Sequence, residues 1–91
     1  TAFTASQSDY LVGITSNSST AVTVELPAAS ICSGSLLVIK DEAGGVRSSG
    51  NAITVSASSG DTVENTDSVQ IAGTMASKTF YSNGGTKWFV I

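Results

Sequence analysis

The stretch TAVTVELPAASICSGSLLVIKD, residues 20–41, decides the fold class. In its first part Val22, Val24 and Leu26 alternate with Thr23 and Glu25. A period of two sends successive side chains to opposite faces, so this segment reads as a half-buried β-strand. Pro27 ends it, because proline has no amide proton to give to a ladder. The small residues that follow, through Gly34, make a compact corner with room for one helical turn. In SLLVIKD, Leu36 and Val38 face one way and Leu37 and Ile39 the other. Both faces are apolar, so this strand is expected to be covered on both sides, by a second sheet, a partner chain, or both.

The same period runs outward from this stretch. YLVGIT (residues 10–15), NAITVSA (51–57) and VQIAG (69–73) are strand-like, and a short strand is expected within DTVENTDS. SKTFYSN and TKWFVI flank Gly84–Gly85, a strong hairpin pattern. The sum is about eight short antiparallel strands, spaced as in a small all-β sandwich or barrel. No segment sustains a 3.6-residue period. Residues 10–91 form a single β-domain in this reading, and residues 1–9 a loose N-terminal segment.

The last strand repeats the doubly apolar pattern. Trp88 and Val90 face one way, Phe89 and Ile91 the other. Two such strands are hard to bury in one thin domain. Leu37, Ile39, Phe89 and Ile91 are therefore candidate subunit-interface residues, and the alternative is that both strands lie at the centre of the core.

Ninety-one residues leave room for one core. Small domains gain support from disulfides, metals or partner subunits. Cys32 is the only cysteine, so no disulfide forms within the chain, and with no histidine a zinc site is poorly served. Oligomerisation is the support left open. Four basic and seven acidic residues give a net charge of −3, which offers no row of cations for nucleic acid. No apolar run approaches the roughly 20 residues that span a bilayer, so no membrane insertion is expected. Serine, threonine, glycine and asparagine supply much of the polar surface, a style common in extracellular and virion-surface β-proteins. The Thr1 start is that expected of a processed product or of a piece of a longer chain.

Catalytic chemistry finds few groups here. Without histidine, Ser-His-Asp and Cys-His arrangements cannot form within the chain. Cys32 reads as a small apolar filler. Asp41 and Glu42 are adjacent and on a strand would point to opposite faces. Lys40 and Asp41 read as a strand-end pair, at the surface or between subunits. Asp61, Glu64 and Asp67 share one polar turn, where solvated turn residues are the simplest reading; a bound cation, or a carboxylate pair across subunits, are the alternatives. The two Gly-Gly pairs fit turns rather than phosphate loops. No cofactor is implied. For a carbohydrate, Tyr81, Trp88, Phe80 and Phe89 are the candidate platforms, with Asn83 and Lys87 as polar neighbours.

The ordered series VTVELPAAS, a glycine, LLVIKDEAGG, NAITV, SGDTVEN and FYSNGGTKWFVI resembles a small β-domain recurrent in bacteriophage tail fibres and tailspikes. The resemblance runs from about Tyr10 to Ile91. The chain departs from the pattern at Val63-Glu64-Asn65, where the pattern prefers Ile-Asp-Gly, and at Ser82-Asn83-Gly84-Gly85. Both departures are conservative for turn chemistry. The resemblance implies a virion fibre or spike module, extracellular-facing and usually homotrimeric. Other tail components would be its partners, and its role assembly or attachment to a host-surface glycan. It does not imply an enzyme, since depolymerase activity in tailspikes typically belongs to a larger neighbouring domain. A free-standing monomeric carbohydrate-binding module is the alternative from a different class.

Overall fold

The computed structural model describes residues 2–6 and 10–91. Its strands, in chain order, are β1 (Ala2–Thr4), β2 (Leu11–Ile14), β3 (Val22–Glu25), β4 (Leu36–Asp41), β5 (Val46–Arg47) and β6 (Ile53–Ser56). They continue with β7 (Thr62–Val63), β8 (Ser68–Ile71), β9 (Gly73–Thr74), β10 (Ser77–Ser82) and β11 (Lys87–Val90). The corner after Pro27 holds a single 3₁₀ turn, Ala29–Ile31, and a second lies at Ser49–Asn51. The protein is all-β. Within residues 1–9, expected as a loose segment, Ala2–Thr4 pair in parallel with β3, while Thr1 and residues 7–9 lie outside the described residues.

Two larger sheets carry the fold, one ordered β1-β3-β6-β8 and the other β2-β4-β10-β11-β7, with a two-stranded β5-β9 ladder beside them. The expectation of antiparallel strands needs correction. Pairs β1/β3, β3/β6, β2/β4 and β7/β11 are parallel. For β1/β3 and β2/β4 the cause is the path of the chain. From β1 to β4 successive strands alternate between the two sheets, so neighbours within a sheet are next-nearest in sequence, and two reversals restore the original direction. The hairpin expected at Gly84–Gly85 does form, as the antiparallel β10/β11 pair.

The two sheets share one hydrophobic core. Val22, Val24, Ile53, Val55 and Ile71 enter it from the four-stranded sheet, and Ile14, Leu37, Ile39, Phe80 and Trp88 from the five-stranded sheet. This is a sandwich-like arrangement, each sheet giving alternate residues to a common interior. Leu26 and Ala29 close one end of it, and Cys32 sits there as a buried free thiol. The Trp88 indole Nε1 donates to the Pro27 carbonyl at 3.1 Å, tying the final strand to the corner.

One buried charge organises the loops at the other end. Arg47 Nε donates to Asp41 Oδ2 at 3.2 Å. Its terminal nitrogens donate to the carbonyls of Ser16, Thr20 and Asn51 at 2.7–3.0 Å. A planar guanidinium offers five donors in a fixed fork, so one side chain ties two loops together, the β2–β3 loop at Ser16 and Thr20 and the β5–β6 loop at Asn51.

Candidate functional site

The five-stranded sheet has one face in the core and one outward. Register shows how the outward face is built. Tyr81 stands opposite Leu36 on one side and Phe89 on the other, giving a row of three large side chains across β4, β10 and β11. The next row runs Leu11, Val38 and Thr79. The Ile91 amide donates to the Thr79 carbonyl at 2.9 Å and adds its residue to the end of that row. Leu11, Leu36, Tyr81 and Ile91 are exposed, at 57, 38, 37 and 70 %. Val38 and Phe89 are half-buried. Polar rows bound this belt, with Gly13, Lys40 and Ser77 on one side and Lys87 on the other.

The candidate interface residues divide across the sheet. Phe89 and Ile91 lie on the outward belt, whereas Leu37 and Ile39 are buried in the chain's own core. The doubly apolar pattern of SLLVIKD is real, but its outward members are Leu36 and Val38. The parity is set by Phe80, which points inward directly opposite Leu37.

The candidate ligand residues divide in the same way. Tyr81, Asn83 and Lys87 gather at the outward end of the β10/β11 hairpin, where the Asn83 amide donates to the Lys87 carbonyl at 3.0 Å. Trp88 faces the core and is 1 % exposed, so in this chain it is not a surface platform. Asn83 Oδ1 is occupied by its own turn, accepting from the Gly85 and Lys87 amides at 2.8 and 3.2 Å.

The carboxylates are also placed. Asp61 Oδ2 accepts from the Ala29 amide and Glu64 Oε2 from the Val90 amide, both at 2.9 Å. These are structural bonds across the fold, while Asp67 is exposed. Glu64 and Asn65 have φ of 52° and 61° and form a two-residue turn closed by reciprocal Val63–Thr66 bonds, the geometry of a type I′ hairpin. Asp41 is not a surface partner of Lys40. It is buried against Arg47, while the Lys40 ammonium reaches the Met75 carbonyl. Burial pushes the Asp41 carboxyl up, but the Ala43 amide, the Arg47 hydrogen bond and charge, and Lys40 together hold it below its ordinary value. Burial raises the Cys32 thiol, which disfavours the reactive thiolate.

Among the described residues no group of three or more cysteine, aspartate or glutamate side chains could hold a metal. A cleft of about 270 Å³ lies between β1 and β2, lined by Phe3, Thr4, Val12, Ile14, Thr15 and Val24 among others. None of these six residues is titratable. Arg47 is the site sequence reasoning missed; its one signal is that it is the sole arginine, set in a glycine- and serine-rich loop. No protein-family profile matches the sequence, and no curated protein matches it either.

Proposed function

We propose that this chain is a non-catalytic, self-assembling β-module of a bacteriophage tail fibre or tailspike. Its copies associate as a homotrimer alongside other virion tail components, facing outward from the virion. The observation that carries the self-assembly part is the outward face of the five-stranded sheet, where Leu36, Tyr81 and Phe89 align across three strands, Leu36 and Tyr81 exposed and Phe89 half-buried. Large apolar patches with polar rims are a usual mark of interaction surfaces. The fibre assignment rests on the ordered series of motifs from Tyr10 to Ile91. The non-catalytic reading is supported by carboxylates spent on backbone amides and by the lack of histidine.

A second reading, a monomeric carbohydrate-binding module, is favoured by the gathering of Tyr81, Asn83 and Lys87 at one end of the same face. Size-exclusion chromatography with light scattering separates the two. A species of three 9.2 kDa chains, about 28 kDa, that persists on dilution supports the fibre module. A single 9.2 kDa species at every concentration would sink the trimer, and glycan binding that is lost in Lys87→Ala would then favour the second reading.

A further inference from the structure

We infer that the outward face of the five-stranded sheet is the surface by which copies of this chain join, with the Leu36–Tyr81–Phe89 row at its centre. The inference rests on the self-assembly reading above and names the contact. It moves Tyr81 from glycan contact to subunit contact and replaces Leu37 and Ile39 by Leu36 and Val38.

Area supports a protein partner. Taking roughly 200 Å² for a fully exposed large side chain, the six apolar residues of the belt expose on the order of 400–500 Å². A standard interface buries about 800 Å² per partner, of which roughly 450–520 Å² is apolar. The belt therefore supplies about the apolar share of one such contact, and in a three-fold assembly the same belt, turned to the axis, is shared between two neighbouring copies. It is a tenth of the 4498 Å² surface of the chain.

Charge supports a second copy rather than a foreign protein. A face that meets its own twin must avoid a strong field of one sign, because like charges across a contact are costly. The outward positions of β2, β4, β10 and β11 carry two charges, Lys40 and Lys87, at opposite rims. Lys40 is already engaged by the Met75 carbonyl. A carboxylate lies at the same rim, since a Cβ placed on Gly13 would fall 2.5 Å from the Glu42 carboxyl. The belt is close to neutral although the chain carries −3.

Chemistry argues against a sugar at the centre of the belt. Sugar recognition needs convergent donors and acceptors, and the two apolar rows contain only the Tyr81 and Thr79 hydroxyls as side-chain polar groups. The row is also rigid. Leu36, Tyr81 and Phe89 stand on three hydrogen-bonded strands, so little side-chain and loop ordering opposes association.

The test compares solution mass for wild type, the double variant Leu36→Glu/Tyr81→Glu, and Val46→Glu as control, from low micromolar to near-millimolar concentration. Val46 is 73 % exposed on β5, outside the five-stranded sheet. The expected result is an assembled wild type and control, and a double variant that runs as a single 9.2 kDa chain with wild-type circular dichroism. A double variant that stays assembled overturns the face while leaving self-assembly standing. A wild type that is monomeric throughout overturns both. Should the double variant fail to fold, Tyr81→Ser is the second measurement; it must weaken association at least tenfold, and an unchanged mass profile overturns the proposal.

Discussion

Arg47 and Asp41 form an ion pair in which neither side chain is more than 1 % exposed, and the same guanidinium holds the carbonyls of Ser16, Thr20 and Asn51. A buried pair alone can be exchanged for apolar residues at little cost. This one is different, because its loss would also remove the partner of three loop carbonyls, those of half-buried Ser16 and Asn51 and of exposed Thr20. It ties together the loops at this end of the sandwich.

Removing one partner leaves the other charge buried and alone. Arg47→Ala is expected to lower unfolding free energy by about 3–5 kcal/mol, a large part of the roughly 5–15 kcal/mol a domain has. Arg47→Met, which keeps the volume, should recover little of this, since it restores none of the carbonyl bonds. Urea unfolding followed by circular dichroism measures both. A fully stable Arg47→Met protein would show that the loops do not depend on the fork.

The same pair sets an acid limit. The folded Asp41 carboxyl titrates below its ordinary value, which in an unfolded chain is about 3.9. Between the two values the unfolded chain binds more protons, so stability falls as pH falls. The contribution is complete above about pH 4 and is lost as the pH drops through the folded value. Melting temperature measured from pH 7 to pH 2 should therefore hold in the upper range and decline at the acid end. Asp41→Asn, already without this charge, should melt lower at neutral pH and show a shallower acid decline. An equally steep decline would place the acid sensitivity elsewhere.

Glycine positions give a contrast between strain and mere crowding. Gly84 has φ of +82°, and a Cβ there would lie 2.8 Å from Ser33 Cβ and 3.3 Å from Ser33 Cα. Backbone must move to admit it. Gly84→Ala should cost about 1–2 kcal/mol from the left-handed conformation alone, and more from the contact. A Cβ on Gly13 would meet the Glu42 carboxyl at 2.5 Å, but that side chain is exposed and can swing away. Gly13→Ala should stay within about 0.5 kcal/mol of wild type. Thermal melts of the two variants check the order, and equal losses would contradict it.

How far the residues alone reveal this fold depends on what each pattern encodes. Alternation in TAVTVEL and NAITVSA identifies strands and their inward residues, and Val22, Val24, Ile53 and Val55 are all in the core. Alternation does not encode the partner strand, so the parallel pairs that arise from crossing between sheets were not legible. SLLVIKD shows two apolar faces without saying which turns inward; that choice belongs to Phe80, 43 residues away in sequence and paired with Leu37. β5 lies in a glycine-rich segment that reads as pure turn, because Arg47 stabilises it through bonds that no local pattern announces. At the candidate site, Tyr81, Asn83 and Lys87 were legible as one hairpin end. The row that joins Tyr81 to Leu36 and Phe89 required the register.

Trp88 links the sequence's most conspicuous residue to the corner that follows β3. Its ring is buried among core residues and its Nε1 satisfies the Pro27 carbonyl, which has no strand partner to serve that role. Trp88→Phe keeps most of the apolar burial but leaves that carbonyl unpaired, at a cost of about 1–3 kcal/mol. Trp88→Ala adds a cavity and should cost about 3–5 kcal/mol. The two variants thus separate the hydrogen bond from the packing. As the sole tryptophan it is also the reporter. Its emission should be blue-shifted in the folded chain and move red in one step with the loss of circular dichroism. It should not change when Tyr81 on the opposite face is altered or when the chains dissociate. Emission that shifts on dilution, before unfolding, would place Trp88 at the subunit contact and contradict its position in the core.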